Sequence, residues 1–135
     1  MRHLIAIVPV LLFAGQCLAA GPDCRRHETH AAYRTCLERL SSQADAELVR
    51  QENALKSKIG QWDETPAARR DTLQRFALDV AAYRRYRQSH CDYAASRAAG
   101  GNGAHDMRLS CRVDLDAQRS AMLRDDVVSF DARRP

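Results

Sequence analysis

Two stretches of this 135-residue chain hold residue types able to do chemistry. The first, DCRRHETH at 23–30, brings Cys24, His27 and His30 close together, with Cys36 not far beyond. The second, DYAASRAAGGNGAHDMRLSC at 92–111, is a Gly-rich, basic-tipped segment bounded by Cys91 and Cys111. A metal centre is one reading of the first. However, HETH does not space its histidines four apart as the HExxH pattern does, with its Glu to act as base, and no CxxC pair accompanies it. The alternative is a half-cystine followed by polar residues opening a helix, so no metal and no cofactor is expected. Catalysis finds no support either. There is no Ser-His-Asp set on a nucleophile elbow, no phosphate loop and no CxxCH haem attachment, and the acids are scattered along solvated faces.

The meaning of the cysteines depends on compartment. MRH, then the apolar run LIAIVPVLLFAG, then CLAA make the three regions of a secretory signal peptide, with cleavage expected after Ala20. Lipidation at Cys17 is disfavoured because Gln16 is not small. The apolar run is short of the ~20 residues a bilayer span needs, so no membrane insertion is expected after cleavage. Residues 21–135 then suffice for a single domain in the periplasm or outside the cell. The formal charge is +4, from 21 Lys+Arg against 17 Asp+Glu, and loss of Arg2 with the leader would leave +3. Cations and acids are interspersed with no basic stripe, which argues against nucleic acid as a partner.

Without Cys17, four cysteines remain, Cys24, Cys36, Cys91 and Cys111, and an even number in an exported domain reads as two disulfides with three possible pairings. Periodicity supplies the elements that must hold them. Cys36, Leu37, Leu40, Ala44, Leu48, Leu55 and Ile59 make one face of a long helix that Gly60 ends. A turn at 61–65, with Trp62 folded onto the end of the core, leads to Pro66 in the first turn of a second helix. That helix carries Leu73, Phe76, Val80, Tyr83, Arg87, Cys91 and Ala94 on one stripe and fades at Ala98. A third helix begins near 105–107, presents Cys111, Leu115, Arg119, Met122 and Leu123, and gives way to an irregular tail. No strand-like alternation occurs. The expected fold is all-α, a three-helix antiparallel bundle with long first and second helices, stapled by two disulfides.

Helical rise orders the cysteines within that bundle. Cys91 lies roughly 26 residues from the 61–65 turn at ~1.5 Å each, a level that the first helix reaches near residue 35. Cys36 with Cys91 is therefore the favoured pairing, which leaves Cys24 with Cys111. Arg87 and Arg119 stand on inward stripes, where a cation needs a partner or a route to water. Asp45 falls near the level of Arg119, and the two are expected to form a structural ion pair.

The order of short motifs resembles a known family. Cys24 and Cys36, the segment Ala44-Asp45-Ala46-Glu47-Leu48, the pair Tyr86-Arg87 ahead of Cys91, Gly100-Gly101, Cys111, and then Leu115 with Arg119 follow the LprI-type lysozyme inhibitor domain. The resemblance runs from Cys24 to Leu123. It departs at Val49 and Glu52, where the family favours Asn and Tyr, at Tyr83, where it favours Trp, and at Gln88, where it favours Asp. It implies an exported bacterial envelope protein that is not an enzyme and whose partner is a lysozyme-type muramidase, an immunity protein being a close variant. A non-enzymatic envelope scaffold is the alternative. Charge and position, not the resemblance, nominate Arg97, Asn102, His105 and Arg108 as the partner-binding residues, with the helical surface around Glu47, Arg50 and Arg84 next.

Overall fold

The structure, a computed structural model, describes residues 23–132. The expected signal peptide and the cleavage point lie outside them. A single 3₁₀ turn, Cys24–Arg26, precedes α1 (His30–Gly60), α2 (Pro66–Ser96) and α3 (Gly103–Ala132). The three long helices run up, down and up as an antiparallel bundle, with no strand among the described residues.

Local chemistry explains the boundaries. Thr29 and Thr65 are N-caps whose hydroxyls accept from the backbone N–H of Ala32 and Ala68, each at 3.2 Å. Pro66 occupies the first turn of α2, where a missing N–H costs nothing. Gly60 is the last residue of α1, and 61–65 form the expected turn. Trp62 stacks edge-on against Phe130 at 5.6 Å, closing that end of the core. The anticipated irregular tail is helical instead as far as Ala132. α3 continues there because the partly buried Val127 and Phe130 extend its packed face by two more turns, and Lys58 Nζ donates to Asp131 at 2.5 Å. α3 also starts at Gly103, slightly before the expected 105–107.

Apolar burial divides into two clusters. At the α2–α3 loop end, Cys24, Cys36, Leu37 and Leu109 pack together with Tyr33 and Leu40. Toward the 61–65 turn, Leu48, Leu55, Ile59 and Leu123 pack with Leu73, Phe76, Tyr83, Val127 and Phe130. Between them lies a polar waist. Asp116 is only 1 % exposed and accepts from Tyr83 Oη at 2.8 Å and Arg87 Nη1 at 2.6 Å. Arg87 also donates to Asp45 at 2.8 Å. Burial opposes the Arg87 charge, but the two carboxylates outweigh it and raise its pKa; burial and the Asp116 carboxylate likewise raise that of Tyr83.

The waist corrects the expected Asp45–Arg119 pair. Asp45 is taken by Arg87, and Arg119 lies on the α2 side of α3, over the Tyr83 ring at 5.5 Å and paired with Asp79. The inward face of α3 runs through Leu109, Asp116, Ser120 and Leu123, so Met122, expected inside, is exposed.

The disulfide pairing is corrected as well. Cys24 joins Cys36 and Cys91 joins Cys111, with Cα–Cα separations of 5.7 and 5.5 Å. The helices slide relative to a hairpin centred on the turn. Arg87 meets Asp45, so Cys91, one turn further along α2, stands opposite Ser41 and out of reach of Cys36. Cys36 instead receives the 3₁₀ turn folded back over the start of α1.

Two outcomes follow. Arg87→Ala strands a buried carboxylate and should lower stability by about 3–5 kcal/mol, whereas Arg87→Met with Asp116→Leu should recover most of that loss; denaturant unfolding of both variants measures the difference. Cys91→Ser should leave Cys111 alkylatable, keep Cys24 bridged to Cys36, and cost about 2–4 kcal/mol. Non-reducing peptide mapping checks the partners.

Candidate functional site

The four nominated residues surround the reversal from α2 to α3, and the structure treats them differently. Residues 97–102 make a tight turn, with Ala99 (φ 49°) and Gly100 (φ 77°) both left-handed. Glycine suits that region, whereas Ala99 is held there at a cost of about 1–2 kcal/mol. Backbone bonds over-determine the turn: Ala99 N donates to Ser96 O, Gly101 N to Ala98 O, and Ala104 N to Gly101 O, each at 3.0 Å. The Gly-rich stretch is therefore a built reversal with a defined shape.

Side chains fix it to the rest of the bundle. Asp106, in the first turn of α3, is buried and accepts from Arg34 Nε at 2.9 Å, with His30 Nε2 2.6 Å away. Arg34 reaches on to the carbonyl of Asn102 at 3.0 Å. On the other flank Arg108 Nε donates to Asp92 at 2.8 Å, Gln88 donates to the second Asp92 oxygen at 2.6 Å, and Arg112 donates to Gln88 at 3.0 Å. The Cys91–Cys111 bridge closes the hairpin within this ladder, between the Arg108–Asp92 and Arg112–Gln88 contacts.

Of the nominated set, Arg108 is thus committed to Asp92, and His105 stands 3.7 Å from Glu38. Asn102 lends its carbonyl to Arg34 while its side chain is exposed and has no partner among the described residues. Arg97, the C-cap of α2, is exposed, and its guanidinium has no carboxylate partner among the described residues. Glu47, Arg50 and Arg84 are engaged elsewhere: Glu47 accepts from Arg50, Gln51 and Arg124, and Arg84 donates to Glu52 at 2.7 Å.

His105 also belongs to a polar groove of about 410 Å³ beside the loop. Glu38, Ser41, Ser42 and Asp45 of α1, Leu109, Arg112 and Asp116 of α3, and Arg87 of α2 complete its walls. Sequence reasoning did not find this groove, since its walls come from three helices. The one signal was the run of polar residues at inward spacing. Mixed donors and acceptors suit it to polar contact, and no nucleophile is joined to a base within it. Cys24 and Cys36 are spent on a disulfide, and no metal-holding cluster occurs among the described residues. Nor is any helix among them long and apolar enough to cross a membrane.

Asp106 links this end of the molecule to pH. Burial pulls its pKa up, but the hydrogen bonds from Arg34 and His30 and their charges prevail, holding it below the ordinary 3.8. Its contribution is in place above that ordinary value and is lost as pH falls through the lower folded value. Asp106→Asn should cost about 1–3 kcal/mol at neutral pH and flatten that part of the acid limb, as read from unfolding midpoints across pH 2 to 5.

A family model described as Lysozyme inhibitor LprI matches residues 23–123. No curated protein and no solved structure matches the chain. The matched span takes in the 3₁₀ turn, both disulfides, the polar waist and the whole α2–α3 reversal, and on that match the chain belongs to the lysozyme inhibitor LprI family.

Proposed function

We propose that this protein is a periplasmic or secreted, non-catalytic inhibitor of a lysozyme-type muramidase, and that the α2–α3 end of the bundle is the part presented to the enzyme. The observation that carries this reading is the family match across nearly all of the described chain. Muramidases of this kind work with two carboxylates in a groove, one of which must give up a proton. An arginine placed against such a pair offers paired N–H donors, holds both carboxylates ionised and withdraws the acid from catalysis. Arg97 is suited to that role because its charge is not already spent. Asn102 adds an exposed amide beside it, and His105 and Arg108 stand at the flanks beside their own carboxylate partners.

Rigidity supports the same reading. An element frozen before binding loses less freedom on association. Here the reversal is held by its own backbone bonds, by the Asp106 and Asp92 clamps, and by a disulfide with a sequence separation of 20. A role as an immunity protein against a foreign muramidase uses the same surface and differs only in the target.

Cell-wall lysis assays with muramidases of several structural classes test the proposal. At least one should be inhibited, and Arg97→Ala should raise the inhibition constant by about 10–100-fold, as expected for a charge-assisted hydrogen bond worth ~1.5–3 kcal/mol. The melting temperature should barely change. Inhibition should weaken with salt in the parent more than in the variant. Failure to bind or inhibit any muramidase would remove the function; full activity in the Arg97 variant would remove the site.

A further inference from the structure

α2 has an outward face that neither the core nor the loop end uses. Leu78, Ala82, Tyr86, Ser89 and Tyr93 follow one another at steps of four and three, so they lie on one side of the helix, and all are exposed. Leu78, Tyr86 and Tyr93 are 64 %, 52 % and 65 % exposed. Tyr86 is steadied by the His90 ring at 5.4 Å. The charge along α2 is lopsided. Asp71 is paired with Arg75, Asp79 with Arg119, and Asp92 with Arg108, whereas Arg85, beside Tyr86, has no partner among the described residues. The face therefore combines two open aromatic rings with an uncompensated cation.

From this we propose that the outer face of α2 binds a carboxylate-bearing glycan strand of the cell wall. Tyr86 and Tyr93 are seven residues apart, about 10.5 Å at the helical rise, a distance that two linked pyranose rings cover end to end. Each tyrosine is an apolar pad of ring size with a hydrogen-bonding tip, which matches a sugar with a C–H face and hydroxyl edges. Arg85 supplies the counter-charge for the carboxylates. A protein partner fits less well, because Ala82 and Ser89 separate the rings and Leu78 is the lone large aliphatic side chain in the row, which leaves little surface to form a dehydrated centre. A second copy would set Arg85 against its own like. The site ends at Tyr93, one turn before Arg97, and would hold an inhibitor on the polymer where its target works.

Co-sedimentation of the full protein with purified, protein-free cell-wall sacculi tests this. The parent should pellet, and a soluble neutral β-linked N-acetylglucosamine oligosaccharide should release it. Tyr86→Ala with Tyr93→Ala should bind at least tenfold more weakly with an unchanged circular dichroism spectrum and unchanged muramidase inhibition. Arg85→Ala should bind more weakly and with a shallower salt dependence. A parent that stays in the supernatant, a double variant that pellets equally, or binding displaced by single-stranded DNA but not by the oligosaccharide would each overturn the proposal.

Discussion

Placing a carboxylate at position 116, almost without solvent, obliges the rest of the bundle to answer it. An unpaired charge there would be prohibitive, so α2 must bring Tyr83 and Arg87 to it, and Arg87 in turn requires Asp45 on α1. Three helices are thereby locked at one level by groups that tolerate no sliding. Apolar packing alone would not achieve this. Leucine faces slip past one another at little cost, whereas a one-turn shift of α2 would put Asp79 or Cys91 in place of one of the two donors to Asp116. A cost remains in the waist, for Ser120 Oγ and Arg119 Nε are buried with no hydrogen-bond partner among the described residues.

Below the waist the same logic recurs in milder form. Asp106 and Asp92 each collect two donors, one set from α1 and the other from α2 and α3. Burial in the loop-end cluster is otherwise slight, with Leu37 and Leu109 its buried leucines beside the disulfide of Cys24 and Cys36. Ion pairs and bridges thus stand in for the apolar area that this end lacks. The opposite end, built on Leu48, Leu55, Ile59 and Leu123, relies on packing.

Much of this was legible in the sequence. The faces of α1 and α2, the stop at Gly60 and the start at Thr65-Pro66 follow from periodicity and capping, which are local. Pairings between elements were read poorly, because they depend on how far one helix slides along another. That offset placed Cys91 opposite Ser41 and took Asp45 away from Arg119. Asp116 sits at core spacing, yet a carboxylate reads as solvated until its partners on another helix are known. The tail was misread since Val127 and Phe130 are too few to reveal a period. At the candidate site, the positions of Arg97, Asn102, His105 and Arg108 around a reversal were evident. Which of them carried free charge was not, because Asp92 and Glu38 lie on other elements.

The two disulfides join neighbours in chain order, with separations of 12 and 20 and no crossing. A chain that meets oxidant amino terminus first can close Cys24 onto Cys36 before Cys91 has emerged, then close Cys91 onto Cys111 as the next event. Each thiol finds its native partner as the nearest one available. Oxidation in that order gives the native pairing, so a chain oxidised that way would need no reshuffling of its bridges.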